Sequence, residues 1–301
     1  MKKKIFAAIC SVTMLAGAAG IAPAQFAAEP AGITAEAANY TFSAADGQAW
    51  YNFTFTNGYN SNDGFKITSC QPYQATTTLS FPDYLSDNQG HAGNITALGD
   101  NILKQNTRIT SITVPNTVRK IGDYFCNDAT NLVSATLSNN LETLGRYCFY
   151  GNPKMTSFVC NSQNIFSFGY GTLWANKWAD SFNQNNTTAL IIGNMLFRYY
   201  KRPTSSTLNW YSIKGRRQLN QSESYYAVTS INDFAFAADA FPTSYAHVIN
   251  RLNLTGVRYC GYHAFWKFKQ GTVIVIDGDV INRSCLISAL GSGCVLEWVN
   301  P

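Results

Sequence analysis

The chain has 301 residues, of which only 13% are charged, against about 25% in ordinary soluble domains. Its 22 basic and 17 acidic residues leave a net charge of +5 with no dense basic block, which is no nucleic-acid footprint. Serine, threonine, asparagine, tyrosine and phenylalanine are abundant, a composition suited to a polar, adhesive exterior surface.

The start of the chain reads as a secretory signal over residues 1–38. Met1-Lys2-Lys3-Lys4 is followed by an apolar run from Ile5 to Ile21 and by small residues from Ala22 to Ala38. Cleavage is expected near Ala35-Glu36-Ala37-Ala38, although Ala22-Pro23-Ala24 also fits. No later stretch is apolar and long enough to suggest a membrane span, so the chain is expected to be secreted or held at the cell surface. Removing the signal takes away Lys2, Lys3, Lys4, Glu29 and Glu36, leaving 19 basic against 15 acidic residues.

Residues 39–78 come next. Tyr40-Thr41-Phe42, the run Trp50 to Phe55 and Phe65-Lys66-Ile67-Thr68 are separated by Asn57-Gly58 and Asp63-Gly64. They predict two or three antiparallel strands with tight turns, forming an N-terminal β cap.

Over residues 79–160 the sequence repeats itself every 23 residues: Leu98-Gly99-Asp100, Ile121-Gly122-Asp123 and Leu144-Gly145-Arg146 stand at one spacing. Between them, Ile109-Thr110-Ser111-Ile112-Thr113-Val114-Pro115-Asn116 is answered by Leu132-Val133-Ser134-Ala135-Thr136-Leu137-Ser138-Asn139. One such unit cannot bury its own apolar side, so neighbours must stack around a shared core. Alternation at Ile112, Thr113 and Val114 predicts a short strand, ended by the turn at Pro115-Asn116. Gly122 is expected to free the backbone for a corner, and Asp123 to Cys126 to form a single helical turn that lays Phe125 or Cys126 beneath the strand.

These residues resemble the BspA-like leucine-rich repeat family, bacterial secreted or cell-surface proteins whose units read L-x-x-I-x-I-P-x-x-V-x-x-I-G-x-x-A-F-x-x-C-x-N. Ile109 to Asn131 carries that phrase, with Phe125 and Cys126 where the family has Ala and Phe, and Leu132 to Asn152 fits the next unit. Eroded copies surround Leu79-Ser80-Phe81-Pro82, Ile231-Asn232-Asp233-Phe234-Ala235-Phe236 and Cys260-Gly261-Tyr262-His263-Ala264-Phe265. The resemblance implies a β-rich repeat solenoid of short strands and single helical turns.

Residues 161–227 break the period and read as an insertion within the solenoid. Leu173, Trp174 and Trp178 stand at helical spacing within Thr172 to Ala179, and Ala189 to Tyr200 reads as a hairpin around Gly193-Asn194. Divergent repeats over 228–270 and a C-terminal β cap over 271–301 complete the chain.

Seven cysteines follow the signal, an odd number that cannot be fully paired within one chain. Cys126 and Cys148 hold neighbouring slots within bridging reach, about 4.4–6.8 Å between backbones, yet those slots are apolar and buried free thiols fit them better. Cys285 and Cys294 are a second candidate pair. The short basic run Lys214-Gly215-Arg216-Arg217 reads as a solvated loop or a contact for an anionic wall polymer.

Catalytic chemistry is not visible. The three histidines, His91, His247 and His263, have no second ligand at metal-site spacing, no C-x-x-C pair occurs, and the acidic residues are scattered apart from the turn-like Asp277-Gly278-Asp279. Neither metal, cofactor nor enzymatic activity is expected. The expected role is a binding or adhesion module for an extracellular protein, matrix component or glycan. Ser111, Thr113, Ser134, Thr136 and Ser157 would line one strand face with hydroxyls, or serve only as strand filler. The alternative is a polysaccharide-binding or carbohydrate-active exoprotein with Trp174, Trp178, Trp210 and Tyr211 as its stacking platform, although those side chains also suit local core. A structural surface-assembly component is the third reading.

Overall fold

A computed structural model describes residues 41–56, 63–184, 187–200, 207–209, 214–216, 222–225, 228–236, 249–266, 268–277, 287 and 290–299. The signal expected over 1–38, the cysteine Cys285, the histidine His247 and the tryptophan–tyrosine pair Trp210-Tyr211 lie outside the described residues.

The chain opens with β1 (Phe42–Ala45), β2 (Ala49–Phe55) and β3 (Phe65–Pro72), an antiparallel meander in register from Phe42↔Phe53 onward. Alternate residues turn inward, so Tyr51, Phe53, Phe65 and Ile67 are fully buried. Then follow β4 (Thr78–Ser80), β5 (Tyr84–Ser86) and β6 (Ala92–Leu98), and β3 pairs with β6 in parallel. From there two strands recur per unit: β7 (Ser111–Thr113) and β8 (Lys120–Ile121), β9 (Ser134–Thr136) and β10 (Thr143–Leu144), β11 (Ser157–Val159) and β12 (Ser167–Phe168).

These strands build two parallel ladders. One runs β4-β7-β9-β11, with Leu79, Ile112, Ala135 and Phe158 in register; the other runs β6-β8-β10-β12, with Leu98, Ile121, Leu144 and Phe168 aligned. Every aligned residue in both columns is buried. The second ladder therefore continues past residue 160, into the stretch that breaks the period in the sequence.

A third edge stacks without regular strands. The N–H groups of Asn101, Leu103 and Gln105 donate to the carbonyls of Asp123, Phe125 and Asn127, and those of Tyr124, Cys126 and Asp128 donate to Arg146, Cys148 and Tyr150. Along this edge Asn101, Gln105, Tyr124, Asp128 and Tyr147 have φ between 52° and 59°. The segment is therefore not the helical turn expected from the sequence. Left-handed residues recur in it, and their cost of about 1–2 kcal/mol each is offset by hydrogen bonds to the next unit.

The repeating glycine has a different reason from the one read in the sequence. Gly122 and Gly145 do not have positive φ. Asp123 N–H donates to the Asp100 carboxylate and Arg146 N–H to that of Asp123, each at 2.7 Å, so a carboxylate crosses directly over each glycine. A Cβ on Gly122 would stand 2.2 Å from Asp100 Oδ1. Glycine is required here for close approach, not for a turn.

The helix α1 (Lys177–Gln184) begins five residues later than the sequence spacing predicts. Asn176 decides its start: its Oδ1 accepts the N–H groups of Trp178 (3.1 Å) and Ala179 (3.3 Å), an N-cap that pins the first turn. The expected hairpin is present as β13 (Ala189–Ile192) and β14 (Met195–Tyr199), joined through Gly193 at φ 58°. Its second strand also serves as a ladder rung, because β14 pairs in parallel with the later β18 (Ser230–Ile231), and β18 with β20 (Tyr259–Cys260). In chain order the remaining strands are β15 (Thr207–Asn209), β16 (Lys214–Gly215), β17 (Ser224–Tyr225), β19 (Arg251–Asn253), β21 (Val273–Asp277) and β22 (Val295–Val299). Strands β15-β19-β21-β22 form a parallel sheet of four.

Inside the first core an aromatic column crosses the units: Phe81–Phe125, Phe125–Phe149, Phe149–Phe158 and Phe158–Trp178, with ring centroids 5.1–6.0 Å apart. A second buried cluster surrounds Phe236, Leu252, Phe265 and Ile274.

Cys126 and Cys148 are free, buried thiols, as their apolar slots suggest. The candidate bridge from Cys285 to Cys294 is not formed, since Cys294 is also a free buried thiol; Cys260 is the disulfide-bonded one. Burial pushes the Cys70 and Cys160 thiols up to about 12 and that of Cys294 to about 11. In the unfolded chain a thiol titrates near about 8.5. Above that pH the unfolded state releases protons that the folded state retains, so stability falls by about 1.4 kcal/mol per pH unit for each such thiol until the folded value is reached. The urea midpoint is accordingly expected to drop between about pH 7.5 and pH 10. An unchanged midpoint would show that these thiols are not held in the core.

Candidate functional site

The strand face comes together as the sequence suggests. Ser111, Ser134 and Ser157 stand in register across β7, β9 and β11, and Thr113 aligns with Thr136 one position along the same face. Thr113, Thr136 and Ser157 are exposed. Ser134 Oγ donates to Ser111 Oγ at 2.8 Å, so part of this hydroxyl row satisfies itself.

The aromatic platform is only partly where the sequence places it. Trp178 is 3% exposed and packs against Phe158 at 5.1 Å and Phe182 at 4.9 Å, so it belongs to the core. Trp174 is half-buried and faces outward with other rings.

Those rings lie on the third edge, next to the recurring glycine. Tyr124 and Tyr147 stack with centroids 5.4 Å apart and planes 13° from parallel. Tyr147 meets Tyr170 edge-on at 5.6 Å, and Tyr170 meets Trp174 at 4.6 Å and Phe234 at 5.5 Å. Phe234 meets Trp266 at 5.5 Å. His263 is in contact with Tyr262 and Trp266, and these two are 64% and 56% exposed. The left-handed conformation of Tyr124, Tyr147, Phe234 and His263 sets their side chains on this edge. Half-buried rings in contact across several units, ending in the exposed Tyr262 and Trp266, form a surface feature distinct from singly scattered apolar side chains.

A cleft of about 210 Å³ opens within the row. Tyr170, Trp174, Phe234 and Trp266 wall it, and Arg198, Asn232 and Asp233 supply its polar groups. Asp233 Oδ1 accepts the Tyr262 N–H at 2.7 Å, the device that Asp100 and Asp123 use in the earlier units. Burial holds its carboxyl above the usual range, opposed by that hydrogen bond and by Arg146. Asn232 is 6% exposed, and its Oδ1 has no hydrogen-bond partner among the described residues. The volume is below the range of about 300–1,000 Å³ for drug-sized ligands and suits one ring-sized group.

A wider depression of about 610 Å³ lies beside the Arg119–Glu142 ion pair (3.0 Å) and Asn194. Within it the Asn194 amide exchanges hydrogen bonds with the backbone of Ile165 in both directions.

Sequence reasoning missed Tyr124, Tyr147, Tyr170, Phe234, Tyr262 and Trp266, together with Asn232, Asp233 and Arg198. A signal for the first of these was present. Gly122-Asp123-Tyr124, Gly145-Arg146-Tyr147, Gly169-Tyr170 and Gly261-Tyr262 each set a ring just after the glycine that marks the same slot. Among the described residues no group of three or more His, Cys, Asp or Glu is placed to hold a metal ion, and no helix is long and apolar enough to cross a membrane.

Residues 96–209 match the model of the BspA type leucine rich repeat region, in six copies. No curated protein matches the chain. Among solved structures, a leucine-rich cell surface protein from Faecalibacterium prausnitzii A2-165 is 12% identical, covering 86% of this chain and 95% of its own, with a TM-score of 0.38. A leucine-rich repeat protein from Bacteroides capillosus ATCC 29799 is 17% identical over 45% of this chain and 93% of its own, also with a TM-score of 0.38. The leucine-rich repeat protein of T. pallidum is 12% identical over 79% of this chain and 92% of its own, with a TM-score of 0.34. Residues 96–209 are repeats of the BspA-type leucine-rich repeat family.

Proposed function

We propose that the protein is an extracellular recognition module that adheres to a partner through its surface and performs no chemistry on it. The observation that carries this reading is the aromatic edge, where rings from successive units touch one another and the outermost, Tyr262 and Trp266, are more than half exposed. A soluble domain hides such rings unless a ligand covers them, because burying them on binding recovers the hydrophobic contribution that exposure forgoes. The signal-like start of the sequence supports an exterior location. The strand face is the weaker candidate surface, being partly self-satisfied.

The test is binding of the chain from Asn39 onward, a compact unit in itself, to an array of extracellular-matrix proteins and glycans. At least one specific hit is expected, and it should survive the double substitution Thr113→Lys and Thr136→Lys. Silence across the array would contradict the recognition role and favour a structural, self-assembling one.

A further inference from the structure

We propose that the cleft walled by Tyr170, Trp174, Phe234 and Trp266 is a subsite for one neutral pyranose ring of a longer saccharide chain, held by Asn232, Asp233 and Arg198 beneath its hydroxyls. The inference rests on the recognition role argued above and names the ligand class for it.

Three observations converge on a sugar. The first is the orphaned acceptor. Asn232 is more than nine-tenths buried, lines the cleft, and its Oδ1 has no partner among the described residues. Buried polar atoms are almost always paired, so an unpaired one on a side chain that lines a cleft marks a missing donor. A ligand hydroxyl supplies it.

The second is the polar set. Asp233 spends one carboxylate oxygen on the Tyr262 N–H. Arg198 offers donors only, Asp233 acceptors only, and the Asn232 amide both. The two formal charges cancel, so the cleft does not select an anion or a cation. It does match adjacent hydroxyls, each of which donates and accepts.

The third is the shape of the walls. A pyranose has apolar C–H faces that lie against aromatic rings while its equatorial hydroxyls point sideways to polar groups. The cleft has rings on its walls and polar groups among them, and its volume of about 210 Å³ admits a single ring. Beyond the cleft the row continues to Tyr262 on one side and to Tyr147 and Tyr124 on the other. Successive units stack at the strand spacing of about 4.7–4.9 Å, a step comparable with the length of one sugar residue. A chain lying along the edge can therefore meet a new ring at each unit, and rings placed this way tolerate variation in the sugar while the cleft fixes its register.

The experiment titrates the chain from Asn39 with four neutral hexasaccharides, cellohexaose, laminarihexaose, xylohexaose and chitohexaose, following tryptophan fluorescence and calorimetric heat. The matrix-protein array is run in parallel. At least one hexasaccharide is expected to bind. Trp266→Ala and Trp174→Ala should each weaken that binding by about tenfold or more, the scale of losing a central ring contact. Asn232→Ala should weaken it as well, with circular dichroism verifying that the variant keeps its fold. Tyr84→Ala, an exposed tyrosine on β5 away from the edge, should leave binding unchanged. Failure of all four sugars to bind, or binding indifferent to Trp266→Ala and Trp174→Ala, overturns the saccharide assignment. Hits on matrix proteins with silence from the sugars overturn the ligand class alone and leave the recognition role standing, whereas silence from both overturns the two together.

Discussion

Replacing Phe149 by alanine is expected to cost about 3–5 kcal/mol of stability, a large share of the about 5–15 kcal/mol that holds a typical domain folded. The ring is fully buried and bridges Phe125 in the preceding unit, at 6.0 Å, to Phe158 on the neighbouring strand, at 5.3 Å. Neither the ladder on one side nor the strand on the other can collapse into the void, because each is fixed by hydrogen bonds to its own neighbours. In a stacked repeat the loss propagates to adjacent units first. Hydrogen exchange should accelerate most between residues 98 and 184, in the cluster that contains Phe149, and least around Leu252 and Ile274, which belong to the second cluster. Uniform acceleration across both clusters would contradict this picture of local stacking.

The change Gly145→Ala is expected to destabilise by about 3 kcal/mol or more, at the upper end of overpacking costs, although it adds one methyl group. The new Cβ would stand 2.4 Å from the carbonyl carbon of Gly122 and 2.5 Å from the Asp123 carboxylate. The first obstacle is backbone, so no side-chain rotation relieves it. The two units would have to part, breaking the Gly145 N–H bond to the Ile121 carbonyl and the Asp123 bond to the Arg146 N–H. Gly47→Ala is the matched control: a Cβ there meets nothing within 4 Å, and its midpoint should be unchanged or slightly raised. Thermal unfolding followed by circular dichroism separates the two. Equal midpoints for both variants would show that the glycine column does not set the distance between units.

Much of this architecture is legible in the sequence because repetition exposes it. The single triplet Ile112-Thr113-Val114 carries little information, but the matching apolar-Thr-apolar triplet Ala135-Thr136-Leu137 one unit later, with Gly122 answered by Gly145, fixes both strand and stacking direction. The slots of Phe125, Cys126 and Cys148 are read as core for the same reason. The causes behind the pattern are less visible. Gly122 reads as a backbone hinge, whereas the structure gives it the role of making room for a carboxylate from the unit before. Nothing in one unit alone announces that Asp100 reaches across to the next.

The site is the least legible part. Trp174 and Trp178 are four residues apart and look equivalent in the sequence, yet the Asn176 cap starts the helix between them and turns Trp178 inward while Trp174 faces the cleft. Phe234 and Trp266 come from units eroded beyond their repeat pattern, and only folding brings them beside Tyr170. Composition shows that aromatic residues are abundant, but it cannot say that the rings share one edge. Tyr124 and Tyr147 reach that edge through a left-handed backbone two residues after a glycine, and the rings that follow the glycines are its trace in the sequence.

The most direct test of the recognition role compares the chain from Asn39 with its Tyr262→Ala/Trp266→Ala double variant on the array of matrix proteins and glycans. Both side chains are more than half exposed, so the variant should keep its fold, and circular dichroism would verify this. The account predicts that every specific hit of the parent weakens by about tenfold or more in the variant. Hits that bind the folded variant as tightly as the parent would contradict it and move the binding surface away from the aromatic edge.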